Sequence, residues 1–432
     1  MKISKYTFIE RKEDCSVLYN CSNEKLTLIE NKLADLLRDR DTDELKRLHP
    51  SFYLYLVENR YLIPSDENEE DQVLEEWKNE DHDSSHLTIS INPTMDCNLR
   101  CWYCYEKHEQ GSTMPKNVME SVLKQIRKKV MTPEFRHLHL SFFGGEPLLK
   151  IDEIMYPLLI ETSELCAAHQ KTFSFSMVTN GTLLSSENIE KLKGIRTDAD
   201  TYMQITLDGN QRCHDLVRRS PETPQSYRLI IQNIRTAVSN GFRVTLRLNT
   251  THENIDTFVD LLDDFNHLDG KLKERLTIDI QHVWQDRNRA YADFDKKQEA
   301  LRTMFRQNGF RVTEMKHIDR SRCYADKNNH ISINYNGDLF KCTARKFSKE
   351  NREGILLPSG KLVWNHKREL REKLKYGNAI CKECLIFPLC HGRCSQFKMD
   401  SVGHTGCIRG YTEEYKKKII RDRIEFLLEQ FV

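Results

Sequence analysis

The 432-residue sequence predicts an α/β fold in which strand–helix units build a parallel sheet with helices outside it. From His86 to about Phe310, six short apolar runs alternate with amphipathic stretches of helical period, which predicts six such units. A smaller segment with mixed strand and helix patterns precedes this region, and loops punctuated by cysteines follow it. Six units can form an open sheet or a partial barrel, and the residue pattern alone leaves both open.

Residues 1–64 predict a small separate α+β domain. Tyr6–Glu10 and Ser16–Asn20 have the composition of two strands joined by a short turn. Ser22 is expected to cap a helix, and Pro50 to begin another one. The apolar side chains at helical spacing in the first helix are Leu26, Ile29, Leu33, Leu36 and Leu37.

An acidic segment follows this domain. Residues 66–83 carry ten acidic side chains against one lysine, with few apolar residues between them. Such a composition is typical of a solvated segment, so residues 65–85 are predicted to be a linker with some helical character around Val73–Trp77.

The central region holds the predicted sheet. The predicted strands are Leu87–Asn92, Leu138–Phe143, Phe173–Val178, Met203–Leu207, Phe242–Leu248 and Leu276–Gln281. The predicted helices lie near residues 115–130, 152–169, 184–194, 226–239 and 254–265. Parallel strands carry functional loops at their C-terminal ends. Four unusual sequences follow the first four strands, namely 97–104, 144–147, 179–181 and 208–209, so we expect the active site at that edge.

From about residue 313 the pattern changes to loops punctuated by cysteines. A hairpin is predicted for Ile331–Tyr335 and Leu339–Lys341, with Asn336-Gly337 in a type I′ turn. The last segment, Tyr411–Val432, is predicted to be an amphipathic helix. Its apolar side carries Tyr415, Ile419, Leu427 and Phe431.

Composition excludes several classes of function. The chain has 66 basic and 65 acidic residues, so no overall attraction to nucleic acid or membrane is expected. The first residues are too charged for a secretory signal, and no stretch approaches 18 apolar residues, which predicts a cytoplasmic protein. In a large intracellular chain, 14 cysteines favour metal binding over a disulfide framework.

Ten of the cysteines fall into two spaced groups. The first group is Cys97-x3-Cys101-x2-Cys104, and short-spaced thiolates of this kind suit iron–sulfur clusters. Three ligands leave one iron of a four-iron cluster open, whereas structural zinc sites prefer four closed ligands. The second group has seven members, so one cluster is incompletely held by cysteine or another ligand completes it. Its members are Cys323, Cys342, Cys381, Cys384, Cys390, Cys394 and Cys407.

The first cysteine group, with Tyr103 before its last cysteine and Gly-Gly-Glu-Pro after the second strand, resembles the radical S-adenosylmethionine (radical SAM) enzymes. The resemblance implies a partial (β/α)6 TIM barrel over residues 86–312. It also implies a [4Fe-4S] cluster whose open iron binds SAM and yields a 5′-deoxyadenosyl radical that abstracts hydrogen from substrate. The residues that the resemblance assigns to SAM are Gly144, Gly145, Glu146 and Pro147 near its amino group, and Ser176, Thr179 and Asn180 near its ribose or carboxylate.

The second cysteine group resembles the SPASM extension, which holds two auxiliary [4Fe-4S] clusters; this assigns residues 313–410 to a SPASM domain and 411–432 to a C-terminal helix. The resemblance implies an outer cluster on four cysteines and an inner cluster on three. The outer ligands are Cys381, Cys384, Cys390 and Cys407, and the inner ones are Cys323, Cys342 and Cys394. A substrate cysteine thiolate is one candidate for the open inner position; His317, Asp319, water or another cysteine are the alternatives.

Other candidate residues follow the fourth and fifth strands. Arg218 or Arg247 could pair with a carboxylate of SAM or substrate, or form structural ion pairs. Asp208 is a candidate catalytic residue beside them. Cys213 could return a hydrogen atom to a substrate radical, although free cysteines commonly serve only in packing.

The N-terminal domain resembles the winged-helix elements with which peptide-modifying radical enzymes bind a leader peptide; a structural cap is the alternative. We therefore expect a maturase that cross-links a ribosomally made precursor peptide, most simply from cysteine sulfur to carbon, with flavodoxin or ferredoxin as electron donor. The alternatives are carbon–carbon or carbon–oxygen cross-linking, epimerisation, sulfatase maturation, and a non-catalytic metal-bound scaffold that binds peptide.

Overall fold

The computed structural model describes residues 1–38, 42–220, 224–286, 293–313, 320–404 and 406–429. The chain divides into two compact units. The first comprises Met1–His82, Met315–Lys327 and Glu369–Val432, and the second comprises Asp83–Glu314 and Asn328–Arg368.

Strands and α-helices alternate through most of the chain. The strands are β1 (Lys2–Ile3), β2 (Thr7–Arg11), β3 (Ser16–Asn20), β4 (Leu26–Ile29), β5 (Leu62–Ile63), β6 (His86–Ile91), β7 (His137–Phe142), β8 (Thr172–Thr179), β9 (Tyr202–Leu207), β10 (Arg243–Thr250), β11 (Leu276–His282), β12 (Arg311–Val312), β13 (His330–Ile333), β14 (Asp338–Phe340), β15 (Gly354–Leu356) and β16 (Leu362–Trp364). The α-helices are α1 (Asn31–Arg38), α2 (Thr42–Leu48), α3 (Pro50–Glu58), α4 (Glu69–Asp81), α5 (Lys116–Val130), α6 (Tyr156–Ala168), α7 (Ser186–Lys193), α8 (Gln211–Val217), α9 (Ser226–Ser239), α10 (Leu261–Phe265), α11 (Gly270–Lys273), α12 (Phe294–Gln307), α13 (His366–Leu374), α14 (Ala379–Lys382), α15 (Phe387–Cys390), α16 (Ser395–Asp400) and α17 (Glu413–Glu429).

The second unit is built on one sheet of eleven strands, in the order β12-β11-β10-β9-β8-β7-β6-β13-β14-β15-β16. Strands β6 to β12 are parallel to their neighbours, so their C-terminal ends meet at one edge. The predicted α/β fold with six strand–helix units is confirmed, and each predicted strand overlaps an observed one. Their apolar side chains are buried in a single core together with those of α5, α6 and α9.

The sheet continues past the predicted end of the barrel. Strand β13 pairs in parallel with β6, and β14 to β16 extend the sheet in antiparallel fashion. Residues 328–368 thus extend the sheet of the second unit beyond the boundary predicted at residue 312, and the assignment of residues 313–410 to a SPASM domain stays a prediction. Strands β13 to β16 have only three or four residues each, which is too short for a clear alternating pattern in the sequence.

The predicted hairpin forms, but its turn differs. Gly337 has φ +83, whereas Asn336 is absent from the residues with positive φ, so a type I′ turn is excluded. The amide of Gly337 donates to the Asn334 carbonyl, and the amide of Asn334 donates to the carbonyl of Asp338. This is a three-residue loop that ends in a left-handed glycine.

The first unit contains the N-terminal sheet β2-β3-β4, which is antiparallel throughout, as predicted for its first two strands. The helix predicted from Ser22 is wrong at its start, because Leu26–Ile29 is a strand and the helix begins at Asn31. Leucine and isoleucine at these positions satisfy both the helical and the strand period, so the pattern was ambiguous. Pro50 begins α3 as predicted.

The helical character predicted around Val73–Trp77 is observed, and helix α4 extends over Glu69–Asp81, most of the predicted acidic linker. The expected solvation is wrong for its apolar side chains. Its buried residues Val73, Leu74 and Trp77 pack in one cluster with Phe387 and Ile420. The acidic residues occupy the remaining positions of the helix, which explains the misleading composition. Helix α17 packs in the same cluster; the last residues of the predicted helix, including Phe431, lie outside the described part of the chain.

Among the described residues, no helix combines the length and the apolar composition that crossing a bilayer requires.

Candidate active site

The three cysteines of the first group meet at the C-terminal edge of the parallel sheet. Cys97, Cys101 and Cys104 lie in the loop after β6 and line a cavity of about 360 Å³. Most residues that the sequence assigned to SAM or catalysis also line this cavity, namely Gly144, Gly145, Thr179, Asn180, Arg218 and Arg247. The predicted position of the active site therefore agrees with the observed cavity.

The surroundings of the cysteines suit a metal cluster. The Leu99 amide nitrogen lies 3.5 Å from the Cys97 sulfur, and the Asn180 side-chain nitrogen lies 3.8 Å from it. Burial raises the pKa of Cys97 to about 12, so the free thiol is protonated at neutral pH. Three soft sulfur ligands on one cavity, with N–H donors aimed at sulfur, fit a [4Fe-4S] cluster. Such a cluster, when bound with SAM, supplies an electron that generates the 5′-deoxyadenosyl radical.

The Gly-Gly-Glu-Pro sequence packs directly against the segment that leads into the cysteine loop. A β-carbon on Gly144, whose φ is +111, would lie 2.4 Å from the Thr94 carbonyl oxygen, and one on Gly145 would lie 2.0 Å from that of Asp96. The amides of Gly145 and Glu146 donate to these two carbonyls at 3.1 and 2.8 Å. Only glycine permits this approach, so the pair fixes the cavity wall beside Cys97.

Glu146 organises the neighbouring loops. Its carboxylate is fully buried and accepts hydrogen bonds from the Leu148 amide, the Thr179 hydroxyl and the Asn180 amide. Burial raises the pKa of Glu146 to about 6 against the effect of these donors. Pro147 begins the 3₁₀ turn Pro147–Lys150 beside it. The contact of Glu146 and Pro147 with SAM stays a prediction, since the carboxylate has partners within the protein.

Asn180 links the third strand to the cysteine loop. Its side-chain nitrogen donates to the Asn98 side-chain oxygen at 2.8 Å, and its own oxygen accepts from Thr182. Ser176 bonds to His139 and Ser141 on β7, and its contact with SAM also remains a prediction.

Tyr103, Asp208 and Arg218 form a closed hydrogen-bonded cluster in which Asp208 and Arg218 are buried. The Arg218 Nε lies 2.5 Å from Asp208 Oδ2, and the Tyr103 hydroxyl lies 2.9 Å from both Asp208 and Arg218 Nη2. Burial raises the pKa of Asp208, and the Arg218 cation opposes this effect. The sequence left open whether Arg218 forms a structural ion pair or binds a carboxylate of SAM or substrate. In the structure Arg218 forms an ion pair with Asp208. The cluster anchors the cysteine loop to the ends of β9 and α8.

The other two candidates differ in position. Arg247 lines the cavity, and its Nε donates to the side-chain oxygen of Asn249 at 2.9 Å. Cys213 lies in α8, where its amide is capped by Asn210, and it is not among the residues that line the cavity. A hydrogen-donor role for Cys213 stays a prediction that this position does not favour.

Four cysteines of the second group meet at a separate small cavity in the first unit. Cys381, Cys384, Cys390 and Cys407 line it together with two basic side chains, Arg409 and Lys416. The four are the ones that the resemblance assigned to a single cluster. Four sulfurs beside two cations fit an anionic four-cysteine iron–sulfur cluster.

The remaining cysteines lie in both units. Cys323 and Cys394 belong to the first unit, where the neighbouring Cys323 thiol lowers the pKa of Cys394. Cys342 belongs to the second unit, one residue before Thr343, whose carbonyl accepts from the Tyr105 hydroxyl at 2.7 Å. The alternative ligands His317 and Asp319 lie outside the described residues.

One cavity residue was missed by the sequence reasoning. Glu106 lines the cavity, is 8% exposed, and follows the last cysteine of the loop by two positions. Burial raises the pKa of Glu106 to about 8. An acidic residue so close to the cysteine motif was visible in the sequence, but its burial depends on the distant loop after β14.

Comparison with known proteins agrees with this site. Residues 91–265 match the model of the radical SAM superfamily, and this stretch contains the three-cysteine loop and the Gly-Gly-Glu-Pro sequence. The chain therefore carries a radical SAM domain. The cysteine motif of this domain lies in the cavity at the expected edge of the sheet.

Among curated relatives, the chain is 27% identical over 252 residues to a probable GTP 3′,8-cyclase of Methanopyrus kandleri. This alignment covers 55% of this chain and 76% of that protein. The matched share of the next two relatives is smaller, at 26% and 47% of their length.

Two solved structures share the fold. SuiB of Streptococcus suis aligns over 94% of this chain and 98% of its own, with a TM-score of 0.52 and 17% identity. The protein anSMEcpe, solved with bound AdoMet and the Cp18Cys peptide, aligns over 80% of this chain and 98% of its own, with a TM-score of 0.55 and 17% identity.

Proposed function

We propose that the protein modifies a ribosomally made precursor peptide, and that it joins a cysteine sulfur to a carbon with loss of two hydrogen atoms. The observation that carries the proposal is the likeness to SuiB over 94% of this chain, because it includes the N-terminal unit as well as the barrel. SuiB has also been solved bound to its precursor peptide SuiA.

The N-terminal sheet supports recognition of a leader segment. Among the described residues, β4 pairs only with β3, so its outer edge can accept another strand. Leu28 on this strand is 60% exposed, and Leu54 on α3 is 59% exposed. An open strand edge with exposed apolar side chains on strand and helix suits an extended peptide that adds a strand.

The distribution of cysteines supports a sulfur–carbon bond. Four cysteines line one small cavity, which supports one auxiliary cluster. A second cluster on Cys323, Cys342 and Cys394 rests on the sequence resemblance alone. Three cysteines cannot fill four iron positions, and a substrate thiolate is the soft ligand that would complete them. We propose two auxiliary clusters on this basis, with an external flavodoxin or ferredoxin as electron donor.

The test uses the small open reading frames beside the gene. Each candidate precursor is co-expressed with the enzyme under anaerobic conditions and its mass is measured with and without iodoacetamide. A thioether predicts the loss of two hydrogens and of one alkylatable thiol per link. A carbon–carbon or carbon–oxygen link would lose two hydrogens and keep every thiol, and an epimerised peptide would keep its mass.

The purified enzyme provides the matching control. Reduced and reconstituted protein should cleave SAM to 5′-deoxyadenosine and hold about twelve irons per chain. A Cys101→Ala variant should lose SAM cleavage and keep the auxiliary clusters, since Cys101 belongs to the first cysteine group. Intact protein that binds precursor without cleaving SAM would support the scaffold alternative.

A further inference from the structure

Glu106 is a buried carboxylate without a partner in the reaction cavity. It is 8% exposed, it lines the cavity with Cys104, and neither of its oxygens has a hydrogen-bond partner among the described residues. No basic nitrogen of the described residues lies within 4.0 Å of it either. Buried carboxylates in folded proteins are normally paired, because an isolated buried charge is costly.

Two donors lie near Glu106, namely the Tyr105 hydroxyl and the Phe347 amide. Neither meets the geometry of a hydrogen bond to the carboxylate. The Tyr105 hydroxyl donates to the Thr343 carbonyl at 2.7 Å instead. The carboxylate oxygens are therefore available to a group that enters the cavity.

The other acids around this cavity differ from Glu106 in this respect. Asp208 is paired with Arg218 and Tyr103, and Glu146 accepts three hydrogen bonds. Of these three acids, only Glu106 has both carboxylate oxygens buried without a hydrogen-bond partner among the described residues.

The position of Glu106 is well defined. The bond from Tyr105 to Thr343 anchors the backbone before it. Phe347, from the same loop after β14, packs in the apolar cluster with Met95 that borders this side of the cavity. A group bound at Glu106 is therefore held at a fixed place beside Cys104.

We propose that Glu106 binds a cationic side chain of the peptide, a lysine ammonium or an arginine guanidinium, close to the residue that is modified. An entering cation favours ionisation of this buried carboxyl group, and the two then form a strong charge-assisted hydrogen bond. This inference rests on the proposed function and assigns a substrate class to the same cavity. The α-ammonium of SAM has the same chemistry, so the experiment must separate the two sources.

The experiment measures binding with anaerobic holoenzyme. The probe is the precursor identified by co-expression, labelled with a fluorophore, and its analogues with each lysine replaced by norleucine or each arginine by citrulline. Glu106→Gln should weaken binding of the natural peptide on the order of 30-fold. The one analogue that lacks the cation bound by Glu106 should have the same affinity for wild type and for Glu106→Gln. Glu109→Gln is the matched control from the same loop, since Glu109 instead bonds to the Tyr335 hydroxyl.

Reversing the charges on enzyme and peptide distinguishes the loss of this contact from a folding defect of the variant. Glu106→Lys should reject the natural peptide and recover binding to the analogue that carries glutamate at the cationic position. The affinity for SAM, measured by equilibrium dialysis, should be unchanged in Glu106→Gln.

Three results would overturn the proposal. Weaker SAM binding with unchanged peptide binding would assign the cation to SAM. Equal peptide affinity of wild type and Glu106→Gln, in an enzyme that still modifies its precursor, would remove the Glu106 subsite and leave the proposed function intact. If wild-type enzyme neither binds nor modifies any precursor, the proposed function fails and this inference fails with it.

Discussion

Backbone atoms of Asp96 occupy the space that a side chain at position 145 would need. A β-carbon there would lie 2.0 Å from the Asp96 carbonyl oxygen and 2.8 Å from the Met95 carbonyl carbon. Backbone cannot rotate away as a flexible side chain can, so Gly145→Ala must displace one loop from the other. We expect SAM affinity to fall at least about tenfold, because the displaced loop also forms the wall beside Cys97.

Equilibrium dialysis of labelled SAM against reconstituted protein measures this loss. Gly194→Ala is the matched control, because its β-carbon would come no closer than 3.4 Å to a helix carbonyl, an adjustment of a few tenths of an ångström. Gly194 ends α7 and is not among the residues that line the cavity. Wild-type SAM affinity in Gly145→Ala would show that the close approach of the two loops is dispensable.

Single residues also show how far a motif defines its site. The spacing of Cys97, Cys101 and Cys104 predicted their common cavity, since a short loop can bring three sulfurs together. It did not predict that Tyr103 would bond to Asp208 and Arg218, because these partners lie 105 and 115 positions away. Hydrogen-bond partners at that separation depend on the sheet order rather than on local sequence.

At the level of elements, helix α4 depends on an ion pair that its own sequence does not reveal. Asp81 accepts two hydrogen bonds from Arg322, at 3.0 and 2.9 Å, and lies 3.1 Å from Lys375. All three side chains are fully buried. Arg322 immediately precedes Cys323, so this carboxylate also fixes the start of a cysteine segment.

Asp81→Asn removes the charge that two buried cations share. Breaking a buried ion pair costs about 3–5 kcal/mol, because the remaining charges lose their compensation. We expect a lower thermal midpoint and a loss of auxiliary-cluster iron, with SAM cleavage retained by the second unit. Calorimetry and iron analysis measure these effects, and Asp66→Asn, an exposed acid outside the helix, serves as the control. An unaltered midpoint would mean that Arg322 and Lys375 find other partners.

The elements that sequence reasoning predicted share a physical property. Each of the six parallel strands carries apolar side chains at alternate positions, because one face of the sheet packs in the core, as the burial of β7, β10 and β11 shows. The failures occurred where local pattern and tertiary packing disagree. Leu26–Ile29 satisfied two periods at once, and Val73, Leu74 and Trp77 were outnumbered by the acids around them. In both places packing against distant segments decided the structure.

On the scale of the whole chain, the two ends of the sequence form one core. Tyr6, Phe8, Val17 and Tyr19 pack in a cluster with Ile386, Phe387 and Leu389, which lie between Cys384 and Cys390. Arg421 and Arg423 of α17 bond to Glu10 and Glu24. The domain predicted for residues 1–64 is therefore part of the unit that holds most of the second cysteine group.

Deletion of residues 1–64 is consequently expected to do more than remove a peptide-binding surface. The apolar surface of α15 and α17 would be exposed, so we expect the truncated protein to lose about four irons and to unfold at lower temperature. Cleavage of SAM should persist, because the second unit has its own core and its own three cysteines. The control is Leu28→Glu in the full-length chain, which changes only the exposed strand edge and should keep its iron while leader affinity falls. A truncated protein with full iron content and an unchanged thermal midpoint would mean that the C-terminal cysteine segment folds without the N-terminal strands.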